Sequence, residues 1–495
     1  VISNDDDTVT VSAVSNIVKV GNGNNTVTAS GGYNSISAGT GDDTVTASGG
    51  YNTISIGDGT NSVNASGGYN TITTGSGSDT IKAYGGGNNI SANDGNNNVT
   101  AEGGANVVTT GSGKDTISVA GAANVVTTNA GDDTITAAGA SNTINTGDGD
   151  DTVTLNAASN TVNTANGNDT ITANAASNVI NAGDGNNKVT SKGGANTITT
   201  GSGNDTIDAA GAANIIDVSS GNNTVTAWGG GNSVKSTSGN DTVTVGGGVN
   251  VVQAGSGTNK VDAYGGANVV TTEGGNDTIT AYGGANVVTS GAGTDKAIVL
   301  GGANAVYSTS GNDTIYAGGG ANLLIDTAGD NLMLTGGAAN VVVSGGSSNT
   351  IGMLGATNIV AVGGGSNTLA AAGATNVMLL NGGSNTIGMA GGTNVVAATA
   401  GANTIVAIGA ANIVMTELGG LVSSVSSVSG SGLSSVTKDV VGSSAASSLS
   451  TAMNKLSGSI NTGSGADTIV ALGNTNVIYS GAGNDVITAA GMNNI

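Results

Sequence analysis

Asp7, Asp43, Asp79, Asp115, Asp133, Asp151, Asp169, Asp205, Asp241, Asp277, Asp295, Asp313, Asp467 and Asp485 carry the chemistry this chain can do. From Asp7 to Asp313 they are separated by 18 residues or a multiple of 18, and the last two are again 18 apart. Carboxylates at one position of a structural repeat stack into a column, and stacked hard anionic oxygens attract hard cations. Other chemistries are excluded by composition. With His 0 and Cys 0 there is no imidazole base, no thiolate and no disulfide framework. Ten Lys or Arg against 32 acids, a net charge of -22, argue against nucleic-acid phosphates as partners. No apolar run approaches the roughly 20 residues that cross a bilayer, so no membrane span is expected. The chain opens on Val1 with no visible signal peptide, which suggests a processed or trimmed form.

The elements that must hold these aspartates follow from a period of nine. Stepping by nine from Asp205 in both directions lands on Asp or Asn at every position from Asp7 to Asn412. Two residues after each of these anchors stands an aliphatic side chain, as at Val9, Val18, Val27, Ile36, Val45 and Ile54, with Ala297 the small exception. The unit reads as a tight polar turn followed by a three-residue strand whose middle side chain points inward. Two units make an 18-residue coil, and stacked coils make an all-β, parallel β-roll or β-solenoid with a thin aliphatic core.

Successive anchors fall on opposite edges of such a roll. One edge is Asn throughout, from Asn16 to Asn412 and again at Asn476 and Asn494. The other mixes the aspartates above with Asn25, Asn61, Asn97, Asn187, Asn223, Asn259 and the run Asn331 to Asn403. Gly nearly always precedes a mixed-edge anchor by two, whereas the all-Asn edge often has Ala there, as at Ala122, Ala158, Ala212 and Ala356. Ala resists positive φ, so the two turns should differ in shape. The plain alternative is that Asp and Asn are interchangeable turn residues.

Gly201-Ser202-Gly203-Asn204-Asp205-Thr206-Ile207 resembles the RTX, or hemolysin-type, calcium-binding nonapeptide Gly-Gly-x-Gly-x-Asp-x-aliphatic-x, as do Gly111 to Ile117 and Gly75 to Ile81. The resemblance implies a secreted bacterial β-roll exported by type I secretion. It also implies Ca2+ held by turn carbonyls and by the aspartates of stacked coils. The site residues are then Asp43, Asp79, Asp115, Asp133, Asp151, Asp169, Asp205, Asp241, Asp277, Asp295, Asp313, Asp467 and Asp485. The unbroken runs Asp115 to Asp169 and Asp277 to Asp313 are the best of them. Calcium is expected along this edge, and a hydrogen-bonded Asn ladder along the other.

Four regions follow: an Asp-bearing calcium-binding roll over 1–321, an Asn-ladder roll with an apolar outer face over 322–416, a Ser/Gly-rich insertion over 417–460, and terminal coils over 461–495. Gly352-Met353-Leu354, Val360-Ala361-Val362, Met378-Leu379-Leu380 and Ile408 are expected to turn apolar side chains outward. The insertion, with Val436, Val440, Leu449, Met453 and Leu456 at partly helical spacing, is either a segment docked on that face or a flexible linker. Tyr33, Tyr51 and Tyr69 recur at 18 and form one surface row, able to stack or to touch cell-surface or matrix glycans. Both ends lie within the repeat, which fits head-to-tail pairing with copies of itself or a trimmed chain. No catalytic domain fits outside the repeats, so the chain reads as a non-enzyme. Two functions stand: a secreted, calcium-stabilised structural roll forming a filament, sheath or surface layer, and an ice-binding or adhesin rod.

Overall fold

The computed structural model of the chain describes residues 4–416 and 465–495. The chain divides into two compact units, Val1–Thr237 and Ser238–Ile495, and each is built the same way. Both are all-β, formed of parallel strands whose partners lie 18 residues apart, except that in the second unit Thr404 pairs with Thr468 and Asn412 with Asn476, 64 residues on. Ile207 pairs with Val189 in the first unit, and Val261 with Ile279 in the second.

The strands are longer than the sequence suggests. In place of three-residue pieces, most coils carry one strand of 12 to 15 residues, such as Thr206–Ser220, that runs through the Asn corner without ending. Pairing skips only the residue two before the Asn, as Gly193↔Gly211 is followed by Ala195↔Ala213, and that residue makes the bend. Most strand breaks fall at the mixed edge, where the glycines bend the chain harder, but strands also stop at the Asn corner between Ser12 and Ser15, Leu354 and Thr357, and Leu472 and Thr475.

Away from the corner, burial alternates along most strands, which is the period-two signature of a pleated chain with one face inward. Two side chains per half coil point in, however, and not one. Ile207 and Ala209, then Ile216 and Val218, are all at most 1 % exposed. The core is therefore wider by one small residue on each side of the aliphatic column.

In the second unit the outward register changes character. Leu323, Ile325, Val341, Val343 and Ala361 are buried together, with Ile359 and Leu379 packed against them, at positions that elsewhere face solvent (Ile215 is 56 % exposed). Leu354 and Ile408 do face outward and are exposed. Met353, Val360, Val362, Met378 and Leu380 instead point into the core. The expectation of an outward apolar turn was wrong for those five because the inward set has two positions per half coil. The 417–460 insertion lies outside the described residues. Tyr33, Tyr51 and Tyr69 stack face to face, with centroids 5.1 and 5.4 Å apart. Among the described residues no helix is long and apolar enough to cross a membrane.

Candidate cation-binding edge

The two edges solve the same problem, pairing the backbone at a corner, with different chemistry. At the Asn corner each side-chain Nδ2 donates up the stack to the next Asn Oδ1. In the first unit this runs from Asn16 to Asn232 at 2.7–3.0 Å. In the second it runs from Asn250 to Asn494 at 2.7–2.9 Å. The second Nδ2 hydrogen commonly goes to a strand carbonyl, as from Asn34 to Ser48 and from Asn214 to Trp228. This is the expected amide ladder, and it explains why the corner has no Asp: a carboxylate has no hydrogen to donate.

The mixed edge is a true turn. Its glycines two before the anchor are left-handed, with φ of +131° at Gly113 and +135° at Gly203. At the Asn corner the residue two before is not left-handed, so the two turns do differ in shape. Each anchor's backbone N–H donates to the side-chain Oδ1 of the next anchor, Asp or Asn alike. Examples are Asn97 to Asp115 (2.7 Å), Asp115 to Asp133 (2.8 Å) and Asp205 to Asn223 (3.0 Å). A second, outward ladder runs the other way. The residue before the anchor accepts at Oδ1 from the backbone one coil on, as Asp150 does from Asn168 and Asn204 from Asn222. Asp58, Asp94 and Asp184 do the same three residues before Asn anchors, each accepting from a serine N–H and hydroxyl. The serine N–H, then its hydroxyl, hold these exposed carboxyls below the usual range.

The sequence-derived site aspartates from Asp43 to Asp313, with Asp467, are buried to 3 % exposure or less, and Asp485 is half-buried, as is Asp7. Asp115, Asp133, Asp151 and Asp169 stack directly on one another, as do Asp277, Asp295 and Asp313, and Asp467 with Asp485. Asp43, Asp79 and Asp205 stack on Asn on both sides, and Asp241 on Asn259. The second carboxylate oxygen is the one the chain's own donors do not reach. Oδ2 of Asp43, Asp79, Asp115, Asp133, Asp151, Asp169, Asp205, Asp277 and Asp295 is buried without a hydrogen-bond partner. Burial is the leading reason that Asp133 and Asp295 are pushed up to about 6 and Asp151 to about 7, ahead of the neighbouring aspartates. Burial likewise raises Asp43, Asp79, Asp115, Asp169, Asp205 and Asp313.

One group of residues escaped the sequence reading. Five residues before most aspartates stands a buried hydroxyl: Thr74, Thr110, Thr128, Thr146, Thr164, Thr200, Ser236, Thr272, Ser290 and Ser308. Under Asn anchors the same position is usually apolar: Val20, Ile56, Ala92, Ala182, Val218, Ala254, Val362, Leu380 and Ala398. Asp43, above Ala38, departs from the rule. The signal was available as a correlation between positions five apart. Ser308 completes a hydrogen bond to Asp313 Oδ2. Thr128 and Thr164 also reach a carbonyl of the next coil, at 3.1 and 3.2 Å, and each still draws its aspartate's carboxyl down against the larger effect of burial.

Such buried, anionic, donor-poor oxygens fit a hard cation. Among the described residues no three acidic, His or Cys side chains gather closely enough to hold a metal alone, so an ion here would need further oxygens such as the turn carbonyls. A family model for the RTX calcium-binding nonapeptide repeat (4 copies) matches residues 20–54, 55–90, 83–117, 120–153, 154–189, 190–225, 229–261, 262–297, 300–333 and 459–491. The match lapses over the coils whose anchors are all Asn and resumes with Asp467. No curated protein and no solved structure matches the chain.

Proposed function

The chain belongs to the RTX calcium-binding nonapeptide-repeat family, and from that premise we propose a secreted structural protein that assembles head to tail into an extracellular filament, sheath or surface layer. As a β-roll of this family it binds Ca2+. Rolls of this kind are typically structural parts of secreted proteins.

In this reading Asp43, Asp79, Asp115, Asp133, Asp151, Asp169, Asp205, Asp241, Asp277, Asp295, Asp313, Asp467 and Asp485 hold the ion, together with carbonyls of their turns. Bound calcium supplies positive charge that offsets carboxylates buried a few ångströms apart. The chain's own part is to fix each Oδ1 on a backbone N–H and leave Oδ2 for the ion. In a low-calcium cytoplasm the acidic chain would stay unfolded for export, and would fold outside.

The single observation that supports assembly is the directionality of each coil. Every coil offers amide hydrogens upward and Oδ1 acceptors downward at one register of 18, as in Asn124, which accepts from Asn106 and donates to Asn142. A surface that is the complement of its own opposite face adds copies without closing. Negative-stain microscopy with and without chelator tests this. Filaments or sheets in calcium, lost on chelation, support it. Single unassociated chains at saturating calcium and high concentration would sink assembly, and a circular dichroism spectrum indifferent to chelator at low salt would count against calcium.

A further inference from the structure

On the mixed edge Asp and Asn do the same work with Oδ1 and differ only in the second atom, Oδ2 or Nδ2. What Nδ2 touches is therefore informative. Asn61 donates to the carbonyls of Gly57 and Gly59 at 3.1 and 3.3 Å. Asn97 donates to Asn93 and Gly95 at 3.0 and 3.1 Å, and Asn187 to Gly183 and Gly185 at 3.1 and 3.2 Å. Asn25 does so at 3.2 and 2.9 Å in the first unit, and Asn259 at 2.9 and 3.2 Å in the second. In these five the carbonyls are those four and two residues before the anchor, whereas Asn367 and Asn385 reach the carbonyl three before, Gly364 and Gly382, at 2.9 and 3.1 Å. An Asp at that position has no hydrogen to give those two carbonyls, so the turn loses the donor that an Asn supplies.

We infer that the mixed-edge Asn amide is a built-in substitute for the cation: it pairs the turn carbonyls internally, so that Asn coils need no calcium and the ion load is confined to Asp coils. The inference rests on the calcium reading above and sharpens it to individual coils. The inner position agrees with it. An amide whose hydrogens go to carbonyls needs no inward partner, and Ala92, Ala182 and Ala254 lie beneath Asn97, Asn187 and Asn259. A carboxylate gains from a hydroxyl there, and Thr110, Thr146 and Thr200 lie beneath Asp115, Asp151 and Asp205. Asn331 shows the same accounting with the roles exchanged. Its Nδ2 donates at 2.7 Å to Asp326, the acid five residues before it, which also accepts from Ser344 at 2.9 Å.

The test is a pair of reciprocal double variants in the full chain. Asp151→Asn with Thr146→Ala should bind roughly one calcium ion fewer per chain by calorimetric titration. Its melting temperature in chelator should rise, on the order of a few degrees. Asn97→Asp with Ala92→Thr should gain calcium and melt lower in chelator. Strand circular dichroism at saturating calcium checks that both fold, and the single variants Asp151→Asn and Asn97→Asp replace any pair that does not. Unchanged stoichiometry in both directions, with a wild-type chain that does bind calcium, overturns the inference alone. A wild-type chain that binds none overturns the calcium reading instead.

Discussion

Asp151 lies between Asp133 and Asp169 with its Oδ1 taken by a backbone N–H and its Oδ2 unpaired, and burial pushes its carboxyl up to about 7. The unfolded carboxyl titrates near 3.9. The folded chain therefore binds the extra proton, and the stability this contributes is full below about 4 and lost as pH rises through about 7. Asp133 and Asp295, at about 6, act in the same direction. Calcium-stripped protein should accordingly melt higher at pH 5 than at pH 8, and Asp151→Asn should flatten the curve. A melting temperature that rises with pH in the absence of metal would contradict the burial of these groups. The column itself was legible in the sequence because 18-residue spacing is blind to context. The partner hydroxyls were not, because Thr and Ser also fill the outward ranks and only their pairing with Asp five residues later sets Thr146 or Thr200 apart.

At the scale of the coil, the Asn corner is the element whose loss is felt on both sides. Asn124 accepts from Asn106 and donates to Asn142 and to the Ala138 carbonyl. Asn124→Ala should cost roughly 1–3 kcal/mol for each buried group left unpaired. Asn124→Asp should be no milder, since it sets a carboxylate against two acceptors. Denaturant melts at saturating calcium would read both, and an Asp variant as stable as wild type would refute the ladder's one-way donor logic. The glycine turn makes a second demand. A Cβ at Gly203, where φ is +135°, would lie 2.0 Å from the Gly185 carbonyl oxygen. Gly203→Ala should lose roughly 1–3 kcal/mol from backbone strain alone. Gly388→Ala, where nothing lies within 4 Å, should be near neutral. The difference between the two turns was readable in Ala122 and Ala212 against Gly113 and Gly203. The 12- to 15-residue strands were not, because an Asn-Gly-rich corner spells a turn locally, while the bend at Ala212 is gentle enough for the pairing to resume one residue later.

For the molecule as a whole, the inner column is narrow and each coil touches its neighbours 18 residues away, so stability is set coil by coil and not by one shared core. Regions with different corner chemistry should then respond differently to the same chelator. Coils bearing Asp115 to Asp169 have buried oxygens without donors. In coils bearing Asn349 to Asn403 the mixed edge is also an amide ladder, with Nδ2 to Oδ1 distances of 3.1, 3.0 and 2.9 Å. Two continuous amide ladders hold the second set without any ion, and its Ile359, Ala361 and Leu379 pack on the buried cluster of Leu323, Ile325, Val341 and Val343 in the coils just before. Hydrogen exchange of the chelated chain should therefore show amides of 115–175 losing protection while amides of 349–410 keep it, and calcium should restore the first without changing the second. Uniform loss across both would mean that calcium acts on the chain globally, through its net charge of -22, and that corner chemistry does not decide which coils hold.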